Sequence, residues 1–356
     1  MARSLAEYKA KRDFKKTREP SGKKAATRTK NRFVVHEHHA RRLHWDLRLE
    51  KDGVLVSWAI PNGIPPDPKQ NRLAVHVEDH PLDYIDFQGE IPEGSYGAGA
   101  VKIWDKGTYD SEKFHDDEVI VVFHGKKLKG KYVLFQTRGD QWMIHRMDPP
   151  DRPRDPMPEH VAPMIPTPRH IVPRDEGWGF EIAWSGKRAL AHWQPGRFRL
   201  DDADGEDITA KFPEVRPLGR ELGSLDAILD GEVVVFGADS LPESGELEER
   251  ASLESESAIR RRAKDTPVTY VIFDLLYLDG RDIMGLSYEE RRKLLAELKL
   301  DGPNWQTPAY HPGDGREFAR AASERGLPGI MAKRLGSTYK PGKRTRDWLQ
   351  INLPAR

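Results

Sequence analysis

The stretch that most constrains the fold of this chain is VHEHHARRLHWDLRLE, which spans residues 35–50. From position 44 onward, polar and apolar residues alternate without a break. Because successive side chains of a β-strand point to opposite faces, this alternation predicts a strand with one polar face and one apolar face. Such strands are typical of an antiparallel sheet that packs one face on a core and keeps the other face polar.

Two neighbouring runs repeat this arrangement. His36 and His38 share a face of RFVVHEH, and His76, Glu78 and His80 share a face of LAVHVEDH at 73–80. Three predicted strands therefore carry imidazole and carboxylate groups on one side and apolar residues on the other.

Imidazole and carboxylate groups together form a ligand set for a divalent metal. Two histidines and one aspartate with open coordination positions suit Mn²⁺, Fe²⁺ or Zn²⁺, and an arginine nearby adds a forked donor for a phosphate. The pattern indicates a metal-dependent phosphoester site. Its residues would be His38, His44, Asp46, Arg48 and His80. The alternative is a solvated polar face of an antiparallel sheet, which needs no metal.

Five sequence blocks resemble the 3′-phosphoesterase module of bacterial DNA ligase D. In order along the chain they are FVVHEHHARRLHWDLRLE, SWAIPNG, RLAVHVEDHPLDY, GEIPEGSYGAG and WDKGTY. The resemblance covers residues 7–148 and includes the basic run YKAKRDFKKTREP. It implies a small β-barrel with an Mn²⁺-dependent site that trims the 3′ ends of DNA; other divalent metals remain open.

The resemblance also implies roles for individual residues. Those that match the family's metal ligands are His38, His44 and Asp46. Those that match its phosphate contacts and other residues needed for activity are Arg48, His80, Tyr84, Arg12, Asp13, Glu19 and Arg72. The chain departs from the family at Asn62, where lysine is usual. That lysine serves the substrate, so we expect the change to affect removal of a terminal phosphate more than metal binding.

Charge is distributed unevenly along the chain. Residues 1–35 contain twelve Lys and Arg but three acidic residues, whereas the net charge of all 356 residues is +1. We therefore predict that residues 1–30 form a basic, flexible arm that contacts the phosphate backbone, although a solvated tail is an alternative. The chain has no cysteine and no apolar run near the ~20 residues of a membrane span. We expect a cytoplasmic, nucleoid-associated protein without a membrane partner.

The domain organisation follows from a change in composition. Short apolar alternations separated by Gly, Pro and Asp turns predict a β-barrel domain over residues 31–148. Nine prolines between 148 and 173 predict a stiff linker at 149–173. Residues 174–356 then mix predicted strands with two predicted helices, at 287–298 and 316–325. Ser287 and Glu290 form a capping box at the start of the first helix.

The second half resembles the nucleotidyltransferase domain of ATP-dependent DNA ligases. The blocks that carry this resemblance are GWGFEIAWSGKRA, DGEVVVF, YVIFDLLYLDG, GIMAKR and YKPGKRTRDWLQIN. They imply the α+β adenylation fold, which contains two sheets. The complete chain is therefore predicted to be multidomain, with an N-terminal β-barrel phosphoesterase domain and a C-terminal α+β domain like that of a ligase.

Several residues that the ligase chemistry requires are replaced in this sequence. Ala183 stands where the family has the lysine that attacks ATP, and an alanine has no nucleophile. The other replaced positions are Ser185, Pro328, Gln350 and Asn352. The matching positions are Glu181, Arg188, Glu232, Phe273 and Lys333. We predict a degenerate domain in which ATP does not react, and we do not expect Lys187 to replace the missing lysine because the attack requires in-line placement.

Three functions are compatible with these features. The first is an Mn²⁺-dependent phosphoesterase that removes 3′-ribonucleosides and 3′-phosphates from DNA ends during bacterial double-strand break repair. Its partners would be DNA 3′ ends of primer–template form and repair proteins such as Ku or a separate ligase or polymerase. The second is a non-enzymatic scaffold that binds DNA ends or nucleotides. The third, an active ATP-dependent ligase, conflicts with Ala183.

Overall fold

The computed structural model describes residues 5–22, 30–173 and 176–353, and it divides into two units, Met1–Arg154 and Asp155–Arg356. The first unit begins with helix α1 (Ala6–Ala10) and has a 3₁₀ helix at Leu82–Asp86. Its strands are β1 (Arg32–His39), β2 (Leu43–Lys51), β3 (Val54–Ile60), β4 (Asn71–Pro81), β5 (Gly89–Ile91), β6 (Gly99–Phe114), β7 (Glu118–His124), β8 (Lys129–Arg138) and β9 (Gln141–Arg146).

These strands close into an antiparallel barrel. Among the described residues, eight strands follow each other around it in the order β1-β2-β3-β4-β9-β8-β7-β6, and β6 pairs back with β1. The short strand β5 pairs with the end of β6. The predicted β-barrel is therefore confirmed, and β1 has a hydrogen-bonded neighbour on each side.

The alternation in β2 sorts its side chains between the two faces of the barrel wall. Leu47 and Leu49 are completely buried. On the same side of β1, Phe33 packs against Phe123 at a centroid distance of 4.8 Å, and Phe123 packs against Tyr132 at 5.5 Å. Aromatic rings from β1, β7 and β8 thus meet inside the barrel, and the opposite, outward face carries His36 and His38 of β1 and the polar residues His44 to Glu50 of β2.

An N-terminal segment covers part of this polar outer face. Tyr8 is completely buried, and its hydroxyl donates to the carbonyl of Pro20 at 2.7 Å. Tyr8 packs in one apolar cluster with Val34 and Leu55, which lie on the outer faces of β1 and β3. The prediction of a flexible arm at 1–30 is therefore wrong for residues 5–22, because an apolar anchor and paired charges fix them. Residues 23–29 lie outside the described part.

The second unit contains two sheets and several helices. Its strands are β10 (Ile165–Arg169), β11 (Trp178–Ile182), β12 (Lys187–Gln194), β13 (Arg197–Asp202), β14 (Ala227–Val234), β15 (Thr269–Leu278), β16 (Arg281–Asp282), β17 (Trp305–Gln306), β18 (His311–Pro312), β19 (Gly329–Arg334) and β20 (Arg344–Asn352). Its helices are α2 (Leu218–Leu222), α3 (Ser244–Ser252), α4 (Glu256–Asp265), α5 (Tyr288–Glu297) and α6 (Gly315–Glu324), with a 3₁₀ turn at Pro213–Val215. One sheet has the order β10-β20-β19-β11-β18, and the other has the order β13-β12-β14-β15-β16, with β17 paired to β15.

Local sequence patterns predicted two of the five described helices of this unit, α5 and α6. Ser287 caps α5, and its side chain and that of Glu290 form the predicted capping box. Helix α6 also lies where it was predicted, and Asp314 caps it. The two-sheet α+β fold of the second unit is therefore confirmed.

Most of the proline-rich segment belongs to the second unit rather than to a linker. The N–H of Asp155 donates to the carbonyl of Gly280 at 2.8 Å, and Met164 is completely buried. Residues 165–169 form β10, which pairs in parallel with β20. Proline has no N–H to donate to a neighbouring strand. Because β10 is at the edge of its sheet and has a neighbour on one side only, it accommodates its prolines. The predicted linker at 149–173 is thus too long, since the division between the units falls at Arg154.

Within residues 5–22, 30–173 and 176–353, no helix has the length and apolar composition needed to cross a membrane.

Candidate metal centre

The first pair of barrel strands brings the three predicted metal ligands together. His38 is directly opposite His44 in the β1–β2 pairing, and Asp46 follows two residues after His44 on the same face. His38 Nδ1 lies 3.5 Å from Asp46 Oδ2, and His44 Nε2 lies 3.6 Å from Asp46 Oδ1. One ligand atom from each residue lies within 4.8 Å of the other two. These three side chains can hold one metal ion.

Backbone carbonyls select the tautomer of both histidines. His38 Nε2 lies 2.9 Å from the carbonyl of Gly97, and His44 Nδ1 lies 3.0 Å from the carbonyl of Arg42. Since a carbonyl only accepts, each of these nitrogens carries the proton. The other nitrogen of each ring therefore presents a lone pair, and both lone pairs face Asp46. In metal sites, a carbonyl that accepts from one ring nitrogen in this way orients the other nitrogen toward the metal.

Asp46 is ionised, as a metal ligand must be. Burial alone would raise the pKa of this carboxyl, but the neighbouring guanidinium of Arg48 lowers it, and the pKa lies well below its usual range. Arg48 Nη2 donates to Asp46 Oδ2 at 3.0 Å. Two neutral imidazoles and one carboxylate fit Mn²⁺, Fe²⁺ or Zn²⁺, so the residues fit the metal that the sequence predicts.

His80 lies beside this group, between two arginines. Arg48 Nη1 is 2.9 Å from His80 Nδ1, and Arg12 Nη2 is 3.1 Å from His80 Nε2. The carbonyl of Glu78 also lies 2.8 Å from Nδ1. Burial, Arg48 and Arg12 together lower the pKa of His80 well below its ordinary value, so the ring is neutral at pH 7.

The N-terminal segment completes the group through Arg12. This guanidinium donates to Glu19 Oε1 at 2.8 Å and to Glu78 Oε1 at 2.9 Å, in addition to its contact with His80. Tyr84 donates its hydroxyl to the same oxygen of Glu19 at 3.0 Å. The guanidinium carbon of Arg48 lies 4.9 Å from the centre of the Tyr84 ring. Predicted residues from four separate segments are therefore connected to one another.

Two predicted residues lie outside this network. Asp13 has a half-exposed side chain, which accepts from the N–H of Lys15 at 3.1 Å and lies 3.8 Å from the ammonium of Lys16. Arg72 donates to the carbonyls of Asn62 and Ile64, at 3.2 Å for the latter. It therefore holds the loop in which lysine is replaced by Asn62.

In the second unit, the residues that match the ligase family line one cavity of about 250 Å³. Its lining includes Glu181, Ala183, Ser185, Arg188, Glu232, Phe273, Lys333 and Gln350. The N–H of Ala183 donates to the carbonyl of Gly329 at 3.0 Å, and its side chain offers only a methyl group. Lys187 is not among the described residues that line this cavity. Its ammonium lies 3.2 Å from a carboxylate oxygen of Asp202.

Three of the retained charged residues of this cavity, Glu181, Arg188 and Lys333, form ion pairs. Arg188 donates to both carboxylate oxygens of Asp230, at 2.6 Å each. Glu181 is bound by Lys333 at 2.5 Å and by Arg292 at 2.8 Å. Burial lowers the pKa of Lys333 despite that partner.

Comparison with known proteins agrees with both halves of the structure. Residues 36–136 match the family model of the DNA ligase D 3′-phosphoesterase domain, and residues 163–352 match that of the ATP-dependent DNA ligase domain. The chain belongs to the ATP-dependent DNA ligase family and also has the 3′-phosphoesterase domain of DNA ligase D.

Two curated relatives of this chain are named multifunctional non-homologous end joining protein LigD. The one from Mycobacterium bovis is 42% identical over 98% of this chain and 45% of its own length. The one from Pseudomonas aeruginosa is 34% identical over all of this chain and 48% of its own length. The chain thus spans about half the length of the relatives that it matches. A solved structure, mycobacterial DNA ligase D complexed with ATP and MES, has 35% identity over 54% of this chain and 60% of that chain, with a TM-score of 0.45.

The sequence patterns did not indicate two residues that contribute to the candidate metal centre. Gly97 supplies the carbonyl that orients His38, and Tyr8 anchors the segment that carries Arg12. The Gly-rich run IPEGSYGAG indicated a loop but not its contact, because a carbonyl has no signature in sequence. The apolar Tyr8 within a basic run was the available indication that the run packs against the barrel.

We predict that Arg12→Ala destabilises the phosphoesterase domain by about 3 kcal/mol, since it removes the buried guanidinium that pairs with two buried carboxylates. Glu19 and Glu78 have nearly no exposed side-chain surface. Hydrogen exchange of the β1 and β2 amides measures the effect, with amides of the second unit as the internal reference. Lys9→Ala is the matched control, because Lys9 is exposed on the adjacent helix. Equal protection in both variants would contradict the proposed role of the Arg12 ion pairs.

A second prediction concerns His36, which lies below the centre on β1. Burial first, and then Arg48, lower the pKa of His36 to about 3. Between pH ~6.5 and 3 the unfolded chain therefore binds the additional proton, and the free energy of unfolding falls as pH decreases, by up to about 1.4 kcal/mol per pH unit. An imidazole NMR resonance that stays constant from pH 8 to 5 and disappears in His36→Gln is the expected result. A resonance that moves near pH 6.5 would contradict it.

Proposed function

We propose that the first domain is an Mn²⁺-dependent phosphoesterase that removes 3′-terminal ribonucleosides and 3′-phosphates from DNA ends. The observation that supports this most directly is the convergence of two oriented lone pairs, from His38 and His44, on the ionised carboxylate of Asp46. Arg48 and His80 lie beside that carboxylate, where a phosphoester that reaches the metal would be held.

The chain's own residues would perform the remaining chemistry. His38, His44 and Asp46 would hold a divalent metal, and the chemistry that it would supply there is polarisation of a phosphoryl oxygen. Arg48 and Arg12 both point their guanidinium groups at the neutral His80, so both can turn to the charged oxygens of a phosphate. A bound phosphate offsets the effect of the two arginines on the pKa of His80. His80 can then hold a proton and donate it to the leaving oxygen.

Residues farther from the metal would act by positioning these groups. Glu19 holds Arg12, and Tyr84 donates to Glu19. Arg72 would act through the Asn62 loop. Because Asn62 cannot supply the positive charge of lysine, we expect the chain to remove 3′-phosphates less efficiently than 3′-ribonucleosides. Asp13 remains proposed from the resemblance, with its half-exposed side chain available to a substrate.

We propose that the second domain is a ligase-like domain that does not react with ATP. The argument rests on Ala183, which lines the cavity with a methyl group where the reaction requires an amine. The whole protein would act at DNA 3′ ends in the cytoplasm, in contact with the nucleoid. Proteins such as Ku, or a separate ligase or polymerase, would complete the repair, as the end-joining names of the relatives suggest.

One assay tests this function against its alternatives. The full chain is incubated with a primer–template that ends in a 3′-ribonucleotide or a 3′-phosphate, with Mn²⁺ or with EDTA, and in parallel with labelled ATP. The expected result is that the primer loses its 3′-ribonucleoside or its 3′-phosphate in the presence of Mn²⁺ but not in the presence of EDTA. Binding of the primer–template without any shortening would favour a scaffold, and a labelled protein would favour a ligase.

A further inference from the structure

The loop that orients His38 also presents an aromatic ring beside the metal centre. The N–H of Ala98 donates to the carbonyl of Ser95 at 3.2 Å, so residues 95–98 form a tight turn. Gly97 has a φ of +74°, which the third position of a type II turn requires. Tyr96 is the second residue of this turn, and its side chain is on the surface, with 52% of the residue exposed.

The turn is attached firmly to the strand that carries the metal ligand. The carbonyl of Gly97 holds His38 Nε2 at 2.9 Å. A Cβ at Gly99 would approach the carbonyl oxygen of His39 to 2.4 Å, so only glycine allows the loop to lie this close to β1. Consecutive Cα atoms are about 3.8 Å apart, so Tyr96 is one residue from the group that touches the metal ligand. The backbone of Tyr96 is therefore held next to His38.

Cations of the N-terminal segment lie around the exposed ring. The ammonium of Lys11 lies over the Tyr96 ring, 4.9 Å from its centre, and the guanidinium carbon of Arg12 is 5.8 Å away. Lys11 is itself held by Glu78 at 3.1 Å. An aromatic ring with cations around it, next to a phosphate-binding group, is the arrangement that proteins use to bind single-stranded nucleic acid ends.

We infer that Tyr96 is the platform on which the base of the 3′-terminal nucleotide stacks while its phosphoester lies at the metal centre. This inference rests on the proposed 3′-phosphoesterase function and identifies what the site recognises besides the phosphate. Every base has an aromatic face, so the platform requires a base without selecting among the four. Tyr96 is thus a specificity-determining residue that favours nucleosides over other 3′ adducts.

The test compares two substrates in the full chain with Mn²⁺. One primer–template ends in a 3′-ribonucleotide, and the other ends in a 3′-ribose without a base. Tyr96→Ala should lower kcat/KM on the first about 5- to 150-fold, the range that corresponds to ~1–3 kcal/mol per stacked base, and should leave the second nearly unchanged. Tyr96→Phe and Tyr96→Trp should retain the wild-type preference. Met147→Ala, at another exposed apolar residue of the domain, is the matched control.

A binding measurement separates this inference from the proposed function. With 2-aminopurine as the terminal base, stacking quenches the fluorescence, and Tyr96→Ala should restore it without any turnover. A wild-type protein that quenches but does not shorten the primer would overturn the phosphoesterase and leave the platform standing. A wild-type protein that shortens the primer, with equal losses on both substrates or no loss in Tyr96→Ala, would overturn the platform.

Discussion

Replacing Asp46 with Asn should reduce 3′-end processing by at least about 1,000-fold, because the bound metal supplies several kcal/mol of transition-state stabilisation and each 1.36 kcal/mol corresponds to a factor of ten. Asp46 is the one charged group of the candidate ligand set, and it is the residue that both histidine lone pairs face. The amide keeps the shape of the side chain but loses the charge. Binding of Mn²⁺, followed by the EPR signal of the free ion, should weaken in parallel, whereas affinity for the primer–template should remain.

A neighbouring histidine provides the control for this variant. His39 follows the candidate metal ligand His38, but its ring bonds to Glu37 at 2.7 Å and does not join the ligand cluster. His39→Ala should therefore keep both Mn²⁺ binding and processing near wild-type levels. Turnover of Asp46→Asn at the wild-type rate would show that the metal is held elsewhere.

The second prediction is that ATP leaves no covalent AMP on this protein and that the protein does not seal nicks. Position 183 provides a methyl group, and the amine of Lys187 is paired with Asp202. Ala183→Lys alone should not restore sealing. Loss of one group that stabilises transition-state charge costs about 3 kcal/mol, and Gln350 and Asn352 remove two such charges.

The measurement is labelled AMP on the protein after denaturing electrophoresis. Label on the wild-type chain would overturn the prediction, and its disappearance in Lys187→Ala would identify the nucleophile. Sealing by Ala183→Lys would show that the other replacements matter less than their charges indicate. Unfolding measurements on Ala183→Lys exclude a trivial failure, because the new side chain must enter a cavity that already contains Lys333 and Arg188.

The sequence predicted those parts of the site that depend on local periodicity. The two-residue repeat of a strand placed His44 and Asp46 on one face, and antiparallel pairing of adjacent strands placed His38 opposite His44. The capping box of α5 was predictable for the same reason, since all of its partners lie within four residues.

Contacts between distant segments were not predictable in this way. Arg12 contacts Glu78 and His80, which lie 66 and 68 positions farther along the chain. The basic run around Arg12, taken alone, indicates a solvated tail. The composition of the proline-rich segment predicts a linker, but part of it forms β10. Local patterns do not reveal this strand, because its partner β20 lies about 180 residues farther along the chain. Prolines do not form central strands, but an edge strand with a single neighbour accepts them.

The two histidines of the metal centre are oriented by main-chain carbonyls, and this determines how the site tolerates mutation. At position 42 the side chain is exposed while the carbonyl holds His44, so almost any residue there preserves the contact. At position 97 the same kind of contact depends on a left-handed backbone, which ties it to glycine. One support of the centre therefore tolerates substitution and the other requires glycine, although neither contributes a side chain.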